Sequence, residues 1–199
     1  MSAPTRRRGR PGHDLASVLA TSVEVFNERG YDGTSMEDLS ARLGIGKSSI
    51  YHHVESKEEL LRLALDEALT GLESAADDIQ AANGPAVERL ELLLRRSIAV
   101  LVDRLPYVTL LLRVRGNSEV ERQALTRRRR LDHLVADLVS EAVGDGALRP
   151  DLDPAVVARL LFGTVNSLTE WLKPTSEQTA VKLGDVLCSL VFDGLRRVS

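Results

Sequence analysis

Residues 34–57, TSMEDLSARLGIGKSSIYHHVESK, carry two short helical patterns separated by only Gly-Ile-Gly. That spacing limits this part of the chain to folds in which two brief helices meet at a tight turn. Thr34 and Glu37 stand at capping-box spacing, so the first helix is expected to begin near Ser35. Met36, Leu39, Ala41 and Leu43 supply its inward face, and Gly44 can take the left-handed conformation that ends it. Ile45, in the turn, is expected to point to the core. The second helix is expected over residues 47–54, where Ile50 and Val54 share a face and Ser48 and His52 are rotated to the opposite one. Lys47, Ser49 and Tyr51 flank them, giving a short polar surface of hydroxyls, imidazole and ammonium that can donate to phosphate oxygens or base edges. Ser56 and Glu59 repeat the capping box, which places Lys57 in a helical first turn and suits it to a phosphate clamp.

Taken together, these positions make residues 14–60 resemble the helix-turn-helix of TetR-type transcriptional regulators. Val54 departs from the family pattern, which usually has phenylalanine there, but it is not a DNA-facing position. The resemblance implies an all-α protein: a three-helix helix-turn-helix DNA-binding domain over 14–58, a basic arm over 1–13, and a C-terminal helical ligand-binding and dimerisation domain over 59–199. It implies double-stranded DNA with a two-fold operator as partner, with Lys47, Ser48, Ser49, Tyr51 and His52 toward the major groove. Thr34, Ser35, Gly46 and Lys57 complete the expected DNA-binding set. It also implies a homodimeric repressor released by a small hydrophobic or acyl-CoA-type effector. The alternative keeps the fold without a small-molecule effector, as a constitutive, protein-controlled or activating regulator.

The whole chain fits that reading by exclusion. Its formal charge of -3 argues against a protein that coats nucleic acid through bulk charge, so contact must come from local patches. Residues 1–13 hold Arg6, Arg7, Arg8 and Arg10 and no acid, as an arm tracking phosphate or the minor groove would. The single cysteine, Cys188, cannot form an internal disulfide, no signal-like apolar stretch follows the arginines, and no apolar run approaches bilayer length; a cytoplasmic protein is expected. An enzyme is not expected. His52 and His53 point about 100° apart on a helix, His13 and His133 have no companions at ligand spacing, and no Gly-rich phosphate loop occurs. Neither a metal site nor a cofactor is expected.

Beyond the motif the pattern stays helical. A first helix from Leu15 to Gly30 backs the motif, and Tyr31 lies in the turn that follows. Further helices are expected over 57–82, 86–104, 107–114, 118–143, 154–172 and from a Thr175/Gln178 capping box to about 197. The last two carry apolar residues on broad stripes, Val157, Leu160, Leu161, Val165 and Leu168 on one and Leu183, Val186, Leu187, Leu190 and Val191 on the other, as a four-helix dimer interface would require. The family resemblance implies a ligand pocket among the middle helices, for which Leu93, Leu111, Phe162 and Trp171 are apolar candidates and Tyr107, Arg113 and Asn166 polar ones. The run Arg127 to Arg130 reads as a solvated face paired with acids, or as a phosphate site for a nucleotide-bearing effector.

Overall fold

The computed structural model describes residues 14–151, 153–173 and 177–195. The basic segment 1–13 and Thr175, with the capping pair expected there, lie outside the described residues. The described residues form helices α1 (Leu15–Arg29), α2 (Met36–Leu43), α3 (Lys47–Tyr51), α4 (Lys57–Ala81), α5 (Ala86–Asp103), α6 (Leu105–Arg113), α7 (Glu119–Gly144), α8 (Pro154–Trp171) and α9 (Glu177–Leu195). Two compact units part between Leu61 and Arg62, three residues beyond the boundary expected from the sequence. Among the described residues no helix is long and apolar enough to cross a membrane.

In the smaller unit, α1 starts at Asp14, whose carboxylate accepts from the Ser17 amide at 2.9 Å. Val18, Leu19, Val23 and Phe26 of α1 meet Leu39 and Leu43 of α2, Ile50 of α3 and Val54 in one buried core. Two sequence expectations shift here. The capping box is Ser35 with Asp38, so α2 begins at Met36 and not at Ser35. The reason lies in Thr34, which turns inward, is 2% exposed and donates its hydroxyl to the Gly30 carbonyl at 2.7 Å. Helix α3 also stops at Tyr51, three residues early, and residues 52–53 form a turn that drops Val54 into the core. Ala41 is exposed and not part of the inward face; Ile45 is half-buried.

In the larger unit α5 is the central helix, packing on α9, α7, α8 and α6, while α7 packs along α8. Pro106 marks the break between α5, which ends at Asp103, and α6, in whose first turn its missing amide hydrogen costs nothing. Asp153 caps α8 as the sequence suggests, accepting from the amides of Ala155 and Val156. The α6–α7 loop is organised by a residue that the sequence did not single out. Glu121 is 4% exposed, and one of its carboxylate oxygens accepts from the amides of Arg115, Gly116 and Asn117 at 2.9, 2.7 and 2.9 Å. Its own amide donates to the Ser118 hydroxyl that caps α7.

Replacing that carboxylate orphans three loop amides at once. Glu121→Ala is expected to lower stability by about 3 kcal/mol, read as a lower urea midpoint. Glu121→Gln, which keeps an acceptor oxygen, should cost less than half as much.

Candidate nucleic-acid interface

Gly44 takes φ 67° and ψ 29°, the left-handed cap that ends α2, and its amide donates back to the Ser40 carbonyl. Ser40 also donates its hydroxyl to the Ile45 carbonyl, and the Ile45 amide returns to the Ser40 carbonyl at 3.3 Å. One serine thus fixes the whole α2–α3 turn, a role its sequence position did not suggest. From that turn α3 projects a continuous exposed set: Gly46, Lys47, Ser48, Ser49, Tyr51 and His52 are all open to solvent, and Ile50 behind them is fully buried. Tyr51 is 50% exposed, a large fraction for an aromatic side chain that the core could have used. The polar face expected for 47–52 is therefore present as one surface. Ser35 stands exposed at the start of α2, with its hydroxyl committed to Asp38 at 2.6 Å.

The two residues expected to hold the DNA backbone, Thr34 and Lys57, each have partners within the protein. The Thr34 hydroxyl is taken up by the Gly30 carbonyl and faces the interior. The Lys57 ammonium points into the α1–α2 turn, donating to the Tyr31 carbonyl at 2.9 Å and the Thr34 carbonyl at 2.7 Å. It also lies 4.3 Å from the centre of the Tyr31 ring, which itself packs edge-on against Phe26 with centroids 5.3 Å apart. Gly33 is obligatory in the same turn, because a Cβ there would stand 2.8 Å from the Arg29 carbonyl oxygen. A lysine that satisfies two carbonyls and an aromatic face is a tie between α4 and the turn before α2.

The electrostatics of this unit are unusual for a nucleic-acid surface. Residues 14–58 contain eight carboxylates and four Lys or Arg. All four cations have partners: Arg29 with Asp38 at 3.1 Å, Arg42 with Glu28 at 2.6 Å, Lys47 with Glu37, and Lys57 with the two carbonyls. The Arg42 guanidinium holds the Glu28 carboxyl below its ordinary range, and the Ser35 hydroxyl and amide do the same for Asp38. Lys47 is the one of the four on the exposed face, and its pairing with exposed Glu37 is a solvent-screened contact of little energetic weight.

The larger unit holds a cavity of about 30 Å³ between α4, α5, α6, α7 and α8, room for about two water molecules. Three of the expected pocket residues, Leu111, Phe162 and Asn166, line it. Leu93 instead lines a smaller neighbouring void of about 10 Å³, which Phe162 also borders. The remaining three are elsewhere. Tyr107 is half-buried, with burial pushing its phenol upward, and does not line the cavity; Arg113 is exposed at the end of α6; Trp171 is 60% exposed. Trp171 falls outside because it shares a helical face with Val156 and Leu160, and that face of α8 is turned to solvent.

The cavity's polar members are Ser97, Arg128 and Asp132 in addition to Asn166; Ser97 and Asp132 were not picked out from the sequence, and Arg128 only as one of the run Arg127 to Arg130. Arg128 lay hidden in the run of four arginines, which the structure divides. Arg127 makes a paired contact with Glu73 and a further one with Asp66, so it is held more firmly protonated than usual, chiefly by Glu73. Arg129 and Arg130 are exposed, and Arg128 alone reaches the cavity. Among the described residues no group of His, Cys, Asp and Glu could hold a metal ion.

Similarity to known proteins covers both units. Residues 18–64 match the model for bacterial regulatory proteins of the tetR family, and residues 83–195 match that for the tetracyclin repressor-like C-terminal domain. The chain is 26% identical to the HTH-type transcriptional repressor KstR2 of Mycolicibacterium smegmatis over 194 residues, covering 94% of this chain and 92% of that one. A crystal structure of a TetR transcriptional regulator family member from Streptomyces coelicolor A3 is 51% identical and superposes with a TM-score of 0.85, covering 90% of this chain and 91% of that one. The crystal structure of AibR in complex with isovaleryl coenzyme A and operator DNA is 27% identical, with a TM-score of 0.74 over 89% of this chain and 97% of that one.

Lys57→Met keeps the stem of the side chain but leaves the Thr34 carbonyl without its ammonium donor and the Tyr31 carbonyl with the Thr34 amide, 3.2 Å away. It is expected to lower stability by about 2 kcal/mol, measured by chemical denaturation.

Proposed function

The chain belongs to the TetR family of bacterial transcriptional regulators, a class of DNA-binding proteins and not of enzymes, and from that premise we propose that it is a homodimeric repressor released from a two-fold operator by a small apolar effector. The observation that carries the DNA-binding part is the exposed face of α3, where Lys47, Ser48, Ser49, Tyr51 and His52 stand together on a turn fixed by Ser40 and Gly44. These side chains enter the major groove, with Gly46 and Ser35 beside the backbone; Thr34 and Lys57 shape the surface without touching DNA. Repression is supported by the relative KstR2, named a transcriptional repressor.

Charge determines how such a protein holds DNA. With eight carboxylates against four partnered cations over 14–58, the helix-turn-helix unit has little free positive charge to displace counterions. Arg6, Arg7, Arg8 and Arg10 of the arm supply it instead, tracking phosphates beside the recognition helix. Lys47 contributes by exchanging Glu37 for a phosphate, a swap that costs little because the pair is exposed.

Dimerisation through α8 and α9 rests on a second observation. Val156, Leu160 and Trp171 of α8 and Val181, Val186 and Leu190 of α9 are exposed by 47%, 65%, 60%, 60%, 59% and 73%. Apolar side chains this open, gathered on two adjoining elements of the sequence, mark a surface that another chain covers. A two-fold dimer covers both copies with the same patch and presents two recognition helices to a two-fold operator.

The effector reading is supported by the cavity beside α4 and by AibR, whose crystal structure contains isovaleryl coenzyme A. At about 30 Å³ the cavity is closed around its own side chains, so the ligand enters by displacing the half-buried Leu72, Leu112 and Phe162 at its rim. The same small volume favours the second reading, a regulator of this fold with no small-molecule effector; a metabolite panel that never raises the melting temperature would support it.

Two measurements test the remainder. Changing Arg6, Arg7, Arg8 and Arg10 to Gln should flatten the dependence of log K on log salt by about 0.9 for each phosphate that the arm neutralises, whereas Lys47→Gln should change it by less than about one unit. An unchanged slope in the arm variant would remove the arm from the DNA interface. Leu160→Glu combined with Leu190→Glu should convert the dimer to a folded monomer in sedimentation velocity, and abolish tight binding to the DNA flanking its own gene.

A further inference from the structure

Arg128 and Asp132 stand one turn apart on α7 and line the same cavity, with Asn166 of α8 on its rim. All three are half-buried beside an apolar floor that includes Leu101, Leu111 and Val165. Among the described residues, none of these three side chains makes a hydrogen bond or an ion pair, whereas the nearby Arg127 is fully paired. Ser97, the other polar member, donates its hydroxyl to the Leu93 carbonyl at 2.8 Å. Folded proteins pair their partly buried charges because desolvation otherwise penalises them, so two opposite charges held near each other but not bonded are a costly arrangement. Burial pushes the Asp132 carboxyl upward against the pull of Arg128, His133 and Arg159.

The chemistry of the three groups specifies what would relieve that cost. A guanidinium offers only donors, a carboxylate only acceptors, and an amide side chain both. The complementary partner places an acceptor against Arg128 and a donor against Asp132, with Asn166 able to serve either. A free carboxylate would satisfy Arg128 and be repelled by Asp132; an ammonium would meet the reverse difficulty. We infer that the cavity selects a ligand with an apolar body and a neutral head that joins a carbonyl to an N–H or O–H donor, as an amide does, and that Arg128 and Asp132 are the residues that discriminate it from acids and amines. This rests on the reading of the cavity as an effector site and adds the chemical class of the effector's buried head. The apolar body takes the place of Leu72, Leu112 and Phe162 over the apolar floor, and the head sits at the rim between α7 and α8.

Hexanamide, hexanoate and hexylamine share one body and differ only in the head, so titrating each into the full-length protein at neutral pH, by calorimetry and by thermal shift, isolates the head. Hexanamide is expected to bind about tenfold more tightly than either charged analogue, a difference near 1.4 kcal/mol. Asp132→Asn should raise hexanoate affinity to at least that of hexanamide, and Arg128→Gln should abolish the preference for hexanamide; circular dichroism melts of the variants exclude unfolding as the cause. Equal or tighter binding of hexanoate or hexylamine to the native chain would overturn the head rule while leaving the cavity as an effector site. So would discrimination that survives both substitutions. No binding of any of the three would overturn the effector-site reading and the head rule with it.

Discussion

The ammonium of Lys57 holds together the part of the molecule on which DNA recognition depends. It closes the turn between α1 and α2 by binding the carbonyls of Tyr31 and Thr34, and it lies on the Tyr31 ring, which braces Phe26 in the core. Those carbonyls sit at a sharp bend beyond the end of α1, where the Tyr31 carbonyl has the Thr34 amide at 3.2 Å besides the lysine. Supplying them with a cation from the first turn of α4 joins three elements through one side chain. The position of α2, and through Ser40 that of α3, follows from this knot. A five-residue helix such as α3 has almost no stability of its own. It is ordered because Ile50 and Val54 anchor it from below and the Ser40 bonds fix its start.

A surface intended for an anionic polymer would be expected to carry unpaired cations, yet this unit has twice as many carboxylates as cations and pairs all four of the latter. The pairs have separate consequences. Arg29 with Asp38 and Arg42 with Glu28 link α1 to α2, which keeps the scaffold rigid without adding charge where DNA would approach. Glu37 with Lys47 lies on the exposed face and lowers the attraction of that face for phosphate in general. A protein built in this way gains little from non-specific phosphate contact through its folded head. On the proposed function, groups that read bases and the basic segment 1–13 would carry more of the binding, and the ratio of specific to non-specific affinity would rise accordingly.

In the larger unit polar side chains divide into those whose partners are complete and those whose partners are not. Glu121 is buried with three amides around one oxygen, and Arg127 is enclosed by Glu73 and Asp66; both are complete and serve the fold. Arg128, Asp132 and Asn166 are incomplete at the edge of an apolar cavity, a pattern that folding alone does not require. Leu160, Trp171, Val186 and Leu190 are large apolar side chains left exposed.

Local chemistry made much of this legible in the sequence. Helical periodicity, the Gly44 stop, the Asp153-Pro154 start of α8 and the buried positions of Ile50 and Val54 are all set by interactions within a few residues, and they appear where the pattern placed them. The polar face of Lys47, Ser48, Ser49, Tyr51 and His52 was legible for the same reason, because one turn of helix fixes which side chains face away from the core. What the sequence left open were choices between equivalent local solutions. Thr34-Glu37 and Ser35-Asp38 are both capping frames, and the second is used because Thr34 is drawn inward to Gly30. Lys57 could have faced solvent or the α1–α2 turn, and carbonyls more than twenty residues distant decided it. Arg127 and Arg128 are adjacent and identical in type, and only the packing of α7 against α8 and the carboxylates of α4 made one a paired strut and the other a lining of the cavity. By itself the sequence determined the helices, most of their ends and the exposed polar face of α3, since these depend on neighbours along the chain. The tertiary structure alone decided which charges are paired and which remain available, because a charge's partner is usually far away in sequence and becomes its neighbour only when the helices pack.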